Sequence, residues 1–150
     1  MFSRLKPLPP AVNIRPADWL ADAPAIAAIR RTVFIDEQSV PEELEWEEID
    51  AACTWFLAQH GDESVAIVRL TPAGRIGRMA VLEGWRGQGI GSHLLAAALA
   101  AARQAGLPSV ELHAQSHALG FYARFGFAVA GPEFDEAGIP HRHMTLHFSR

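Results

Sequence analysis

The feature that most constrains this chain is the segment Val81-Leu-Glu-Gly-Trp-Arg-Gly-Gln-Gly-Ile-Gly-Ser92, in which three glycines alternate with other residues. A strand pattern ends where the segment begins, and a helix pattern rich in Ala and Leu follows it. Glycines let backbone amides approach an anion closely, and a helix start adds free N–H groups and partial positive charge. The segment therefore predicts a phosphate-binding loop, to which Arg86 can add a full charge.

Several interpretations of this loop compete. A P-loop needs Gly-Lys-Ser/Thr, whereas this chain has Gly91-Ser92-His93. A dinucleotide-binding fingerprint fits poorly because the preceding strands form an antiparallel meander rather than a βαβ unit. An ordinary glycine-rich connector is the plain structural alternative. The last interpretation is the acetyl-CoA signature Arg/Gln-x-x-Gly-x-Gly/Ala, matched by Arg86, Gly89 and Gly91, and here the sequence resembles the GNAT superfamily of N-acetyltransferases.

The rest of the chain reads as alternating strands and helices. Periodicity and turn residues predict a first helix over 22–34 capped by Asp22, antiparallel strands over 54–60, 64–71 and 75–82, and a long helix ending near 105. A strand over 109–114, a short helix over 118–125 and two final strands follow. The prediction is a mixed α/β (α+β) domain, and the resemblance implies the GNAT fold, a central, mostly antiparallel sheet flanked by helices.

Two segments stand apart from this pattern. The prolines near the N-terminus predict an extended arm over residues 1–11, which leaves residues 12–150 as a single domain. The stretch 41–50 carries six carboxylates, and such a density of like charge favours a surface loop. That loop could also concentrate a cationic acceptor.

The composition limits the classes of molecule that this protein is expected to bind. A net charge of −4 gives no reason to expect nucleic acid or an anionic membrane. The single cysteine, Cys53, cannot form an intrachain disulfide, and no regular ligand spacing suggests a metal. The N-terminus lacks an apolar run of signal-peptide length. We therefore expect a soluble, cytoplasmic protein without a metal, and a homodimer is left open.

A second motif supports the resemblance. The segment from Val110 to Phe127 contains a strand, a polar turn, Phe121-Tyr122 and Gly126-Phe127, in the order typical of GNAT proteins. The stretches 33–38 and 134–144 are similar to the ElaA-like branch of small acetyltransferases. The resemblance thus covers most of residues 12–148.

The resemblance implies a site for the co-substrate acetyl-CoA. The backbone of Met79, Ala80 and Val81 would contact its acetyl and pantetheine portions. Gln115, Ser116 and Phe121 would line the other side of the pantetheine channel. The pyrophosphate would be held by amides of the loop, namely Arg86, Gly87, Gln88, Gly89, Ile90, Gly91 and Ser92.

Acetyl transfer also needs groups that move protons. Tyr122, near the thioester sulfur by resemblance, is the candidate general acid. Many relatives place a base on the strand before the loop, but residues 75–81 contain no carboxylate. The base is left open among the side chains Glu37, His113, Glu111 and His141.

These observations predict an acetyltransferase acting on a primary amine of a small molecule or peptide. The alternative is a catalytically weak CoA-binding sensor or interaction module on the same fold, favoured by the missing strand carboxylate.

Overall fold

The computed structural model describes residues 5–149. Its strands are β1 (Val12–Pro16), β2 (Thr54–His60), β3 (Glu63–Leu70), β4 (Arg75–Val81), β5 (Ser109–Gln115), β6 (Ala128–Val129), β7 (Phe134–Glu136) and β8 (Ile139–His147). Its helices are α1 (Trp19–Arg30), α2 (Glu42–Glu45), α3 (Ile90–Gln104) and α4 (Leu119–Ala123). A π-helical segment (Arg31–Glu37) continues α1, and 3-10 turns occupy Glu48–Ala52, Glu83–Trp85 and Ser116–Ala118. No helix in this part of the chain is long and apolar enough to cross a membrane.

The strands form one sheet in the order β1-β2-β3-β4-β5-β8-β6, and β7 also pairs with β8. Neighbouring strands are antiparallel except β4 and β5, which run parallel because α3 connects them as a crossover. The predicted mixed α/β class with a mostly antiparallel sheet flanked by helices is confirmed.

The two parallel strands separate soon after they meet. Their pairing covers only Arg75 opposite Glu111 and Ile76 opposite Leu112, although both strands continue beyond that point. The backbone edge that β4 turns toward β5 is therefore left without a ladder partner over its second half, and a cleft opens there.

A bulge marks the other edge of β4. Arg78 and Met79 stand where β3 offers the single residue Val68, because the register shifts between the pairs on either side. Arg78 has a φ of +47°, a left-handed conformation uncommon for a residue with a side chain. The bulge turns the Arg78 side chain toward the cleft, whose walls it helps to form.

Helices cover both faces of the sheet. The apolar side of α3 repeats at helical spacing and fills the larger core, with Ile90, Leu94, Leu95, Ala98, Leu99 and Ala102 all buried. On the opposite face, α1 packs Ile26 and Ile29 against Trp55, Leu57 and Ile67. Each fully buried Leu or Ile contributes about 1.5–3 kcal/mol to folding, and α3 therefore holds the loop that precedes it firmly in place.

The first helix begins earlier than predicted, at Trp19 rather than at Asp22. Asp22 still serves the helix start, but from inside its first turns. Its Oδ2 accepts the backbone N–H of Asp18 at 2.8 Å, and its carboxylate pairs with the Arg15 guanidinium. The N-cap of the helix is Asp18, so the prediction of Asp22 as the capping residue is wrong.

The prediction of a surface loop for the acidic stretch is wrong for two of its carboxylates. Glu45 and Asp50 are 2% and 5% exposed. Arg30, itself 1% exposed, donates from Nε to Glu45 at 2.7 Å and from Nη1 to Asp50 at 2.8 Å. Arg69 donates to Asp50 and Glu47. Arginines on α1 and β3 thus neutralise these carboxylates. From the sequence alone, the repulsion between the carboxylates predicted that they would not be buried.

Candidate active site

The predicted phosphate loop lies between the end of β4 and the start of α3. Gly87 and Gly89 have φ of +76° and +86°, in the left-handed region that favours glycine. Nothing lies within 4 Å of the position that a Cβ of Gly87 would occupy, so the loop is open to a ligand there. Gly89 is the N-cap of α3 and has no side chain to cap the first-turn amides. The loop therefore has the backbone conformation that an anion site needs.

Arg86 is held against the protein rather than extended into solvent. Its Nε donates to the carbonyl of Val81 at 2.7 Å, and its Nη2 donates to the two carboxylate oxygens of Glu37 at 3.0 and 2.9 Å. Glu37, one of the predicted catalytic residues, therefore lies at the loop and does not line the cavity described below.

The backbone predicted to meet the acetyl and pantetheine groups lies on the separated half of β4. Val81 and Ala80 pair with β3 on one edge, and β5 does not pair with them on the other edge. The Val81 carbonyl is occupied by Arg86 Nε. The Met79 side chain lines the cleft, whereas Ala80 is buried against the α1 face.

The opposite wall comes from β5 and α4. Gln115 lines the cleft and donates from Nε2 to Oε1 of Gln38 at 2.9 Å. Ser116 donates to Glu133 at 2.8 Å just beyond the end of β5. Phe121 packs on the first turn of α3. Of these three predicted residues, Gln115 lines the cleft, whereas Ser116 and Phe121 do not.

A cavity of about 490 Å³ occupies the cleft. Tyr122 reaches it from α4, and burial raises the pKa of its phenol to about 12. A phenol with that pKa stays protonated at neutral pH and can donate a proton. The polar side chains that line the cavity around it include Glu47, Arg75, Arg78, His113, Glu136 and His141.

His113 is part of a small polar cluster in this cavity. Its Nδ1 lies 2.7 Å from Oε1 of Glu136, a contact that needs a proton on Nδ1 because a carboxylate can only accept. The Arg75 guanidinium contacts the same ring nitrogen and lies 3.7 Å from Glu136. A guanidinium can only donate, so this second contact needs a lone pair on Nδ1. The two contacts thus require opposite tautomers of His113, and the structure brings the imidazole, a carboxylate and a guanidinium together at one point of the cavity.

The other two candidate bases differ in position. His141 is buried in the cavity wall, with Nδ1 2.7 Å from the Ile139 carbonyl and its ring stacked on Phe134. Glu111 pairs with His143 at 3.1 Å and does not line the cavity. Within residues 5–149, no group of His, Cys, Asp or Glu side chains is arranged to hold a metal ion.

Two cavity residues escaped the sequence analysis. Glu136 reaches His113 because the turn at Ala137 and Gly138 folds β7 back onto β8. The two flanking strand patterns could have indicated that hairpin, but not which carboxylate faces the cavity. Arg78 gave no sequence signal, since its position depends on the bulge in β4.

The loop and β4 carry groups of the kind that bind phosphates and amides. The open glycine loop can offer amides to an anion, and the edge of β4 beyond Ile76 has no strand partner on the β5 side. Met79 of the same strand lines the cavity that Tyr122 also lines.

Comparison with known proteins agrees with this geometry. The family model described as acetyltransferase (GNAT) domain matches residues 21–148. The Escherichia coli protein ElaA is 30% identical over 81% of this chain and 84% of its own length. Its crystal structure superposes with a TM-score of 0.80 at 26% identity, covering 89% of this chain and 98% of that one.

Two further solved structures share the fold. An acyl-CoA N-acyltransferase from Pseudomonas aeruginosa has a TM-score of 0.80 at 28% identity and covers 89% of this chain and 98% of its own. A GNAT family acetyltransferase from Elizabethkingia anophelis, solved with acetyl-CoA bound, has a TM-score of 0.70 at 19% identity over 93% of this chain and 100% of its own. The chain therefore belongs to the GNAT acetyltransferase family, in its ElaA-like branch.

Proposed function

We propose that this chain transfers the acetyl group of acetyl-CoA to a primary amine of a small molecule or peptide. The observation that carries the proposal is the arrangement along β4: the strand lines the cavity with Tyr122 and His113, loses its β5 partner beyond Ile76, and ends at the open glycine loop. The relative from E. anophelis, which binds acetyl-CoA on the same fold, supports the choice of donor.

Tyr122 acts as the general acid in this proposal. When the amine nitrogen attacks the thioester carbonyl, the C–S bond breaks and the sulfur needs a proton. Tyr122 is protonated across the physiological pH range because its pKa is raised to about 12. A backbone N–H on the free edge of β4, at Val81 or a neighbouring residue, stabilises the oxyanion that develops on the carbonyl oxygen.

His113 acts as the general base, and Glu136 is its positioning residue. In the tautomer in which Nδ1 donates to Glu136, the lone pair on Nε2 is available to take the proton that the amine loses on acylation. Glu37 does not fit this role in the structure, since it lies at the loop beside Arg86.

The charges around the cavity bear on the acceptor. Glu47 accepts hydrogen bonds from Arg69 and Arg78, and Glu136 lies beside Arg75. These carboxylates are neutralised by arginines, so excess negative charge contributes little to recognition. We propose that the amine is selected in its neutral form by hydrogen bonding at His113.

The test is to incubate the protein with acetyl-CoA and a panel of primary amines and to measure turnover as the CoA thiol that is released. The protein's own Cys53 contributes at most one equivalent of thiol per chain, so release beyond one equivalent reports turnover. We expect several amines to give multiple turnovers and an N-acetylated product by mass spectrometry. Tight binding of acetyl-CoA with no turnover on any amine would favour the alternative, a CoA-binding sensor or interaction module.

A further inference from the structure

The N-terminal arm, defined here as residues 5–11, lies against the phosphate loop. The ring Nε2 of His93, in the first turn of α3, is 2.6 Å from the carbonyl oxygen of Lys6. A carbonyl oxygen only accepts, so the imidazole donates from Nε2 and ties the arm to the helix start. A Cβ at Gly89 would lie 3.4 Å from the Cβ of Lys6. The arm is therefore in direct contact with the residue that begins α3.

Apolar contacts and prolines fix the arm in this place. Leu5 and Leu8 pack against the larger core. Pro7, Pro9 and Pro10 each fix one backbone φ angle. The predicted extended arm ends in a turn at Pro10 and Ala11, where the Val12 N–H donates to the Pro9 carbonyl at 3.1 Å. The position of Lys6 beside Gly89 is thus determined on both sides along the chain.

Lys6 places a positive charge on the arm. It is the single lysine in the sequence, and its side chain is exposed. Among residues 5–149 the only polar partner seen for Lys6 is His93, through the Lys6 carbonyl. The flexible lysine stem lets the ammonium group move over the loop.

The loop itself supplies little net positive charge. Between residues 83 and 92 the charged residues are Glu83 and Arg86, and Arg86 is already paired with Glu37. CoA carries a pyrophosphate and a 3′-phosphate, both anionic at neutral pH. Neutral backbone amides and one paired arginine leave much of that charge uncompensated.

We infer that the N-terminal arm is part of the cofactor site and that the Lys6 ammonium group pairs with a phosphate group of bound CoA. The inference rests on the proposed binding of acetyl-CoA at the loop. Lys6 contributes the unpaired cation that the loop lacks, and the hydrogen bond from His93 positions it. Ammonium–phosphate contacts of this kind are charge-assisted and stronger than neutral hydrogen bonds.

The first test is calorimetric titration of the full chain and its Lys6→Gln and Lys6→Arg variants with acetyl-CoA at low salt. We expect Lys6→Gln to weaken binding by about three- to tenfold and to flatten its salt dependence, and Lys6→Arg to stay within about twofold of the native protein. The control is Arg103→Gln, which removes the same charge about 20 Å away along α3. It should bind as the native protein does.

Titration with 3′-dephospho-CoA identifies the phosphate. If Lys6 contacts the 3′-phosphate, the native protein and Lys6→Gln should bind dephospho-CoA equally. If it contacts the pyrophosphate, the variant should be weaker with both ligands. Either result supports the inference.

A second readout uses the fact that the chain has one lysine. Amine-selective acylation followed by peptide mass spectrometry reports Lys6, and saturating CoA should slow its modification severalfold. His93→Leu should weaken CoA binding, whereas His93→Gln, which keeps a donor at the same reach, should restore it.

Equal binding by Lys6→Gln and the native protein, together with equal modification of Lys6 with and without CoA, would overturn the role of the arm while leaving the proposed function intact. A folded native protein that binds no acetyl-CoA would overturn both.

Discussion

At the scale of single residues, Tyr122 is a side chain whose pKa is shifted strongly by its surroundings. It is the only tyrosine in the chain, and burial raises its pKa to about 12. The chemical consequence is a phenol that remains protonated at neutral pH. This property is local, but it depends on packing from α4 and the neighbouring aromatic rings.

The tyrosinate absorbance of the native protein should therefore appear at a higher pH than it does for an exposed tyrosine. At pH 11 we expect about a tenth of Tyr122 to be ionised in the folded chain and about nine-tenths in the unfolded chain. Stability from this raised pKa is complete below pH 10 and is lost as the pH rises toward 12, in total about 2–3 kcal/mol. Ultraviolet titration without and with urea measures the ionised fraction of Tyr122 in the folded and in the unfolded chain, and the difference between the two midpoints gives the change in stability. A midpoint near 10 in the folded chain would contradict the burial of the phenol.

In the proposed mechanism, replacement of Tyr122 by Phe should lower kcat by about 10²-fold or more, because the leaving thiolate would lose its proton donor. Binding of acetyl-CoA should change little, since the ring and its packing are kept. Steady-state kinetics and calorimetry on the same preparation check the prediction. Unchanged kcat would remove Tyr122 from the mechanism.

The buried guanidinium of Arg30 is the second residue that governs its surroundings. It bonds Glu45 and Asp50 and stacks near two tryptophan rings. Burial alone would raise the pKa of Asp50, but hydrogen bonds from the Glu47 amide, Arg30 and Arg69 outweigh it and hold that pKa below its usual value. Asp50 therefore adds stability that is present near neutral pH and is lost as the pH falls through its lowered pKa.

Arg30→Met should destabilise the fold by about 3–5 kcal/mol at neutral pH, because buried Glu45 and Asp50 each lose one of their two guanidinium partners. The difference from the native protein should shrink in acid, where Asp50 takes up a proton. Urea unfolding at several pH values measures this. The control is Arg31→Met, whose exposed pair with Glu42 should matter little. A deficit independent of pH would point to lost packing instead.

At the scale of elements, two glycines at the start of α3 differ in backbone conformation. Gly89 has a φ of +86°, and a Cβ added there would make an ordinary contact with Lys6 at 3.4 Å. Gly91 is an ordinary helical residue whose added Cβ would meet Phe121 at 3.8 Å. The loop conformation therefore depends on Gly89, and the helix tolerates a side chain at Gly91.

Gly89→Ala should destabilise the protein by about 1–2 kcal/mol, because a Cβ disfavours the left-handed conformation. Gly91→Ala should be neutral or stabilising by up to about 1 kcal/mol, since Ala is the better helix former. Thermal unfolding followed by circular dichroism compares the two. Equal effects would mean that the loop can relax around Gly89.

At the scale of the whole molecule, CoA binding would join parts of the fold that the sheet itself leaves apart. The ligand would bridge β4, β5 and the start of α3, where the cleft separates the two parallel strands. A ligand that binds only the folded state shifts the unfolding equilibrium by mass action. Thermal stability is thus a global readout of the site.

Acetyl-CoA at a hundredfold excess over Kd should stabilise the fold by about 2.7 kcal/mol and raise Tm by about 5–10 °C. Ser92→Glu should raise the Tm of the free protein slightly, since a carboxylate suits a helix N-terminus, yet it should abolish the ligand-induced shift by repelling phosphate. Ser92→Gln is the uncharged control and should keep much of the shift. An undiminished shift in Ser92→Glu would place the phosphates elsewhere.

The sequence by itself determined the parts that depend on local chemistry. The glycine loop was evident because left-handed glycines before a helix leave few structural options, and β2 and α3 followed from periodicity that neighbouring residues alone create. The family resemblance added the order of the two halves of the site.

Only the tertiary structure decided which distant charges meet. The acidic stretch was predicted to be exposed because sequence shows like charges side by side and cannot show that Arg30 and Arg69 reach them from other elements. Glu136 meets His113 through a hairpin, and Lys6 meets the loop 83 residues away through the path of the arm. Such contacts depend on strand order and register, which arise from packing the whole chain rather than from any one segment.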